Sequence, residues 1–290
     1  MCGPTADSPG GEQLQLDNCP QIHPDVARPQ PIGDTMVTVS VPPPSPPRSL
    51  HVLRDLWWTT SDLVLGSRCA GCGTPGRLLC RTCRAVLDAG VLAEVRPDPC
   101  PPHFPTTVTA GQYEPVVQRL VSAYKDGGVW SLRAPLAQRA WWAVAALLAA
   151  HASTGVRPVL VPLPSRAAAI RRRGLDTTRA LAGTVTRTAR RHGLHLRVRH
   201  GLRFHRRVDD QAGLDATERA ANLAGALTAR PWTAGTSVIL LDDVTTTGAS
   251  LAEATRALTA GGAEVIGAAV IAATVRRKRS DPPEHPGSVT

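Results

Sequence analysis

The chain has 290 residues, 42% of them apolar, and its 33 Lys+Arg against 23 Asp+Glu leave a formal net charge of +10. That length suits one or two domains with a buried core, and the composition excludes a collagen-like or wholly disordered chain. The longest apolar stretch, Ala140 to Ala150, is bracketed by Arg139 and His151 and is too short to span a bilayer, so no membrane insertion is expected. The first residues carry neither a basic start nor an apolar run, so no secretory signal is expected and the expected compartment is cytoplasmic.

Residues 1–50 hold 11 of the 26 prolines, including VPPPSPP at 41–47, and few large apolar residues. They read as a disordered Pro-rich N-terminus. Residues 51–96 are expected to hold a short helix, with Trp57 and Trp58 on one side, followed by a cysteine module. There Cys69, Cys72, Cys80 and Cys83 make C-x2-C-x7-C-x2-C. A pair of thiolates two residues apart closes a tight turn that aims both sulfurs inward, and two such turns complete a tetrahedral Zn2+ site with no open position, hence a structural one. Free thiols or a redox pair are the alternative. Cys2, Cys19 and Cys100 have no partner spacing.

After a Pro-rich linker from Pro97 to Pro105, residues 106–275 alternate apolar runs with amphipathic stretches. The runs at 157–164, 237–244 and 264–274 are rich in Val, Ile and Leu and bounded by turn residues, as strands buried on both faces of a parallel sheet require. Helices are expected over Trp130–His151, Leu175–His192, Asp215–Leu227 and Ser250–Ala260. The last two open on the capping-box patterns Asp215-x-x-Glu218 and Ser250-x-x-Glu253. Alternation of strand and helix sets the fold class as α/β, a doubly wound, mainly parallel sheet preceded by a small zinc-binding module of four cysteines. The tail, 276–290, reads as disordered and basic.

The positive charge is concentrated. Between Arg166 and Arg207 stand 13 arginines and one acid, Asp176, a local +12 (13 − 1) that exceeds the charge of the whole chain. Such a block fits an anionic partner, a small polyphosphate or nucleic acid, or else a solvated helix face.

The most informative segment is the run from Val238 to Ser250, VILLDDVTTTGAS. An apolar strand ends in two carboxylates, and a hydroxyl-rich turn with Gly248 leads directly into a helix. In an α/β sheet, ligands bind outside the carboxyl ends of strands. The N–H groups and hydroxyls of Thr245, Thr246, Thr247 and Ser250 at a helix N-terminus make a phosphate cradle. Asp242 and Asp243 suit sugar hydroxyls or a divalent cation, so the segment reads as a site for a ribose phosphate. A capped strand–turn–helix with solvated acids is the plainer alternative, and the lack of a Gly-Lys-Ser/Thr excludes a Walker loop.

These residues resemble the fingerprint of type I phosphoribosyltransferases, which bind 5-phosphoribosyl 1-pyrophosphate (PRPP). The combination of a four-cysteine cluster with this fingerprint is similar to the ComF family, as are Tyr124-Lys125-Asp126-Gly127, Val161-Pro162-Leu163-Pro164, Arg173-Gly174-Leu175-Asp176, and Gln211 with Arg219 and Asn222. The likeness extends over roughly Arg68 to Thr274. It implies a PRPP site in which Asp242 and Asp243 are catalytic, Thr245, Thr246, Thr247, Gly248 and Ser250 hold the 5-phosphate, Arg166 and Lys125 contact phosphate, and Mg2+ accompanies PRPP. It also implies a flexible loop carrying Arg206, Arg207 and Gln211, although Val208-Asp209-Asp210 replaces the family's Thr-Pro-Pro-like stretch. The reaction implied is transfer of phosphoribosyl to an unidentified acceptor with release of pyrophosphate. Thr246 stands where purine-type enzymes carry an acid, which weighs against purine salvage. The family's association with competence and DNA uptake makes a non-catalytic DNA-binding role, with competence proteins as partners, the alternative.

Overall fold

The computed structural model describes residues 38–39, 68–206, 208 and 216–274. The expected short helix with Trp57 and Trp58, Arg207, Gln211, the basic tail and all of the Pro-rich N-terminus but Thr38–Val39 lie outside the described residues. In chain order the elements are β1 (Thr38–Val39), α1 (Arg81–Asp88), β2 (Leu92–Val95), β3 (Thr107–Thr109), α2 (Pro115–Lys125), α3 (Arg133–Ala150), β4 (Val159–Pro162) and α4 (Ala167–Arg173). There follow α5 (Thr177–Arg191), β5 (Arg197–Val198), β6 (Leu202–Phe204), α6 (Ala216–Leu223), β7 (Leu227–Ala229), β8 (Ser237–Thr245), α7 (Ala249–Ala260) and β9 (Glu264–Ala273).

One sheet has the order β1-β2-β3-β9-β8-β4-β5, and β6 and β7 form a separate antiparallel pair. From β3 to β5 every pairing is parallel, while β1 and β2 add antiparallel to the edge. This is the expected mainly parallel α/β sheet, consistent with the type I phosphoribosyltransferase fold. Strand periodicity splits its core in two. Ile239, Leu241, Ala269 and Ile271 pack with α2, α3 and α5, whereas Val238, Leu240, Ala268 and Val270 pack with α7 and the β6–β7 pair. Fully burying a Val, Leu or Ile side chain is worth about 1.5–3 kcal/mol, so the two central strands, β8 and β9, anchor both layers.

Two expectations need correction. The helix expected to run on to Leu227 ends at Leu223, because Gly225 turns left-handed at φ 64° and Leu227 is already paired with Phe204. The capping box at Ser250 does not form. Gly248 is the N-cap of α7, and the Glu253 carboxylate instead accepts the Leu227 N–H at 2.9 Å and pairs with Arg256 at 2.7 Å. Burial opposes charge on Glu253, yet the Arg256 hydrogen bond and the Leu227 and Gly225 N–H groups lower its pKa overall. Glu253 thus ties the β6–β7 pair to α7. Among the described residues, no helix is long and apolar enough to cross a membrane.

Candidate functional site

The carboxyl end of β8 lies inside the parallel block, between β9 and β4. The alternation that sorts its apolar residues continues into its acids, so Asp242 follows Val238 and Leu240 to the α7 face and Asp243 follows Ile239 and Leu241 to the opposite one. Neighbours in sequence therefore meet different surroundings.

Asp242 lines a cavity of about 60 Å³ together with Leu223, Val244, the turn from Thr245 to Ser250 and Leu251. A single water needs roughly 10–15 Å³ of such space, so the cavity admits a group the size of a phosphate. It sits at the N-terminus of α7, where unpaired N–H groups and the helix dipole favour an anion. Gly248 is required at the entry to the helix. Its φ is 75°, and a Cβ there would stand 2.7 Å from the Phe104 ring. Thr245 and Gly248 are buried, Thr246 is exposed, and Thr247 and Ser250 are half-buried.

Asp243 is 4% exposed and accepts from Lys125 Nζ at 2.5 Å. Each acid also accepts the next N–H in the chain, Asp242 from Asp243 at 2.8 Å and Asp243 from Val244 at 2.7 Å. Burial and then the adjacent Asp243 carboxylate push Asp242 up to about 8, against the opposing pull of Lys125. Burial draws the Lys125 pKa down, but attraction to Asp243 and Asp242 outweighs it and leaves it raised. Lys125 thus faces one carboxylate of the acidic pair.

Lys125 belongs to a junction at the end of α2 that joins three elements. Tyr124 is buried, donates to Thr177 O at 2.9 Å and meets Trp130 edge-on, which holds the start of α5. Asp126 accepts from Arg173 at 2.7 Å and from Arg172 at 3.4 Å, which holds the end of α4. The loop between β4 and α4 is fixed by the Leu163 N–H on Leu241 O and by Ser165 Oγ on Asp176, both at 2.9 Å. Arg166 is the N-cap residue of α4, at the end of this loop. Arg206 donates to Asn222 O at 2.9 Å and to Ala224 O at 2.8 Å, so it closes the carboxyl end of α6 rather than reaching into the cavity. Sequence reasoning did not assign Leu223, Tyr124, Asp126 or Ser165 to the site. Tyr124 and Asp126 were within reach, since both flank Lys125 in the quoted motif.

The Sγ atoms of Cys69, Cys72, Cys80 and Cys83 all lie within 4.8 Å of one another, with Cys72 and Cys80 at 3.6 Å. Tetrahedral Zn2+ with ~2.3 Å bonds to sulfur sets S···S near about 3.8 Å, so the four could hold zinc. Main-chain donors support thiolates: the Cys80 N–H points at Cys69 Sγ at 3.3 Å and the Cys83 N–H at Cys80 Sγ at 3.4 Å. Hydrogen bonds from the Thr74 side chain and backbone lower Cys72 to about 6, whereas burial and the neighbouring thiols raise Cys83. Gly71 passes so close to Cys83 that a Cβ would lie 2.7 Å from its sulfur. The donor set, the N–H donors and this close approach fit a closed structural metal site.

No curated protein matches the chain. Residues 195–289 match the family model described as Phosphoribosyl transferase domain, a stretch that contains β8, the threonine turn, α7 and β9.

Proposed function

We propose that the chain is a ComF-like phosphoribosyltransferase that binds PRPP with Mg2+ and transfers its phosphoribosyl group to an acceptor, releasing pyrophosphate. The observation that carries this reading is the cavity at the N-terminus of α7, where one acid of β8 faces the hydroxyls and N–H groups of the threonine turn. Thr245, Thr246, Thr247, Gly248 and Ser250 hold the 5-phosphate. Asp242 receives the ribose hydroxyls. Asp243, held by Lys125, completes the acidic pair, and Lys125 and Arg166 supply positive charge toward the pyrophosphate. Mg2+, when bound, offsets the charge of the departing pyrophosphate. The chain's own contribution is positioning and fixed charge at the anomeric carbon as its bond to pyrophosphate breaks and the acceptor's bond forms. Residues 51–96 form the metal-bearing module and 106–275 the transferase domain.

PRPP with Mg2+ is expected to raise the melting temperature of the wild type, and the double variant Asp242→Asn, Asp243→Asn is expected to lose that rise. An unchanged wild-type melting curve at millimolar ligand would rule the reading out. Pyrophosphate release across a panel of nucleobases then separates turnover from binding alone.

A second reading, binding of DNA, is favoured by one observation. Arg187, Arg190, Arg191, Arg197 and Arg199 are exposed on the end of α5, on β5, the edge strand, and just beyond it. Because α5 runs back from the carboxyl end of β4, Arg190 and Arg191 lie at the opposite end of the sheet from the acidic pair, out of reach of a small ligand there.

A further inference from the structure

Helix α2 is shared between the cysteine cluster and the candidate site. On its first turns, Val116 packs against Gly71, with Cγ1 only 3.3 Å from where a Cβ would stand, and Arg119 Nε donates to the Gly71 carbonyl. On its last turn Tyr124 and Lys125, with the C-cap Asp126, grip α5, β8 and α4. From Arg119 to Lys125 the helix rises about 9 Å, and a helix that short transmits a displacement without bending. The cluster is itself anchored. Its helix α1, which carries Cys83, ends at carbonyls that accept from the buried Arg139, Leu87 O at 3.0 Å and Val86 O at 3.5 Å. Arg139 Nε donates as well to Ile271 O of β9 at 3.1 Å. One arginine, Arg139, thus ties α1 to the central sheet, and another, Arg119, ties the Gly71 loop to α2.

We propose that Arg119 is a positioning residue through which the metal-loaded cysteine loop sets the ligand site: the Gly71 carbonyl fixes Arg119, and α2 then delivers Lys125 to Asp243 in a single register. The inference rests on the PRPP reading of that site. Metal and PRPP affinities are then coupled, and equilibrium coupling is reciprocal, so PRPP must tighten metal binding by the factor by which metal tightens PRPP binding.

The test uses the full chain loaded with zinc. Zinc affinity is measured by equilibrium competition with a chromophoric chelator, with and without PRPP in excess Mg2+, and a protein-free control corrects for zinc held by PRPP itself. Calorimetry on the same samples measures PRPP binding. PRPP is expected to raise zinc affinity about fivefold or more in the wild type. Arg119→Met keeps the aliphatic stem but loses the donor; it is expected to bind both ligands without the coupling, and Arg119→Lys to restore it. PRPP binding in the wild type with unchanged zinc affinity overturns the proposal, as does coupling that persists in Arg119→Met. Absence of PRPP binding by calorimetry instead fails the functional reading, and the proposal falls with it. Should Arg119→Met not fold, the wild-type arm alone decides.

Discussion

Burial and the neighbouring Asp243 carboxylate hold Asp242 protonated to about pH 8, while an unfolded aspartate ionises near about 3.9. Between those values the folded chain binds more protons than the unfolded one, so stability falls as pH rises through the window and levels off above it. An asparagine keeps the oxygen that accepts the Asp243 N–H but cannot ionise. Asp242→Asn is therefore expected to match the wild type near pH 4 and to melt higher at pH 9, by about 3–6 °C, because Asp242 lines an open cavity and solvent there cuts the full linkage effect to ~1–2 kcal/mol. Thermal melts of both proteins across that range, without ligand, check it; a variant that melts lower at pH 9 contradicts the assigned burial of charge. A group kept at such a cost to stability is what a functional site looks like.

Tyr124, Lys125 and Asp126 test how far burial decides the worth of a contact within one element. Lys125→Met leaves Asp243, 4% exposed, without its cation. Breaking a buried pair costs about 3–5 kcal/mol, less here because Lys125 is 32% exposed, so about 2–3 kcal/mol is expected. Tyr124→Phe removes a buried hydrogen bond while the Thr177 carbonyl keeps its intrahelical partner, and is expected to cost about 1 kcal/mol. Asp126→Ala removes its pairs with Arg173 and Arg172, 54% exposed on the acid's side, together worth under about 1 kcal/mol. Urea unfolding of the three variants is expected to rank them in that order, and Asp126 at the top would refute the burial argument. Local pattern made much of this legible beforehand. The strands expected at 157–164 and 264–274 contain β4 and β9, that at 237–244 covers all but the last residue of β8, and the period of two in Val238 to Asp243 already separates the two acids onto opposite faces. What the pattern could not carry was long-range. Nothing near Asp126 in sequence points to Arg173, and Glu253 fits a capping box until folding brings the Leu227 N–H to it. The end of α6 was missed for a related reason, since Gly225 stops the helix only once β7 has a partner in β6.

At the scale of the molecule, the arginine block sets positive charge in two separate places. Arg172 and Arg173 pair with Asp126 beside the candidate site, whereas Arg187, Arg190 and Arg191 project from the far half of α5, Arg197 from the edge strand and Arg199 from just beyond it. Arg199 also stacks 3.9 Å above the Trp232 ring, which leaves that ring committed and unable to stack on a base. The far group therefore offers charge with no aromatic platform, which suits a phosphate backbone and no particular sequence. If DNA binds there, its affinity falls steeply with salt. Replacing Arg187, Arg190 and Arg191 with glutamine should flatten the dependence of log K on log salt by about 3 × 0.9, or roughly 2.7, for duplex DNA, and by about 2 for single strands. The same triple variant should leave the PRPP-dependent rise in melting temperature unchanged, since none of the three arginines touches the cavity. Fluorescence anisotropy of labelled DNA over a salt series measures the slope. No binding by the wild type at low salt removes the DNA reading, and an unchanged slope in the variant removes this face as its site.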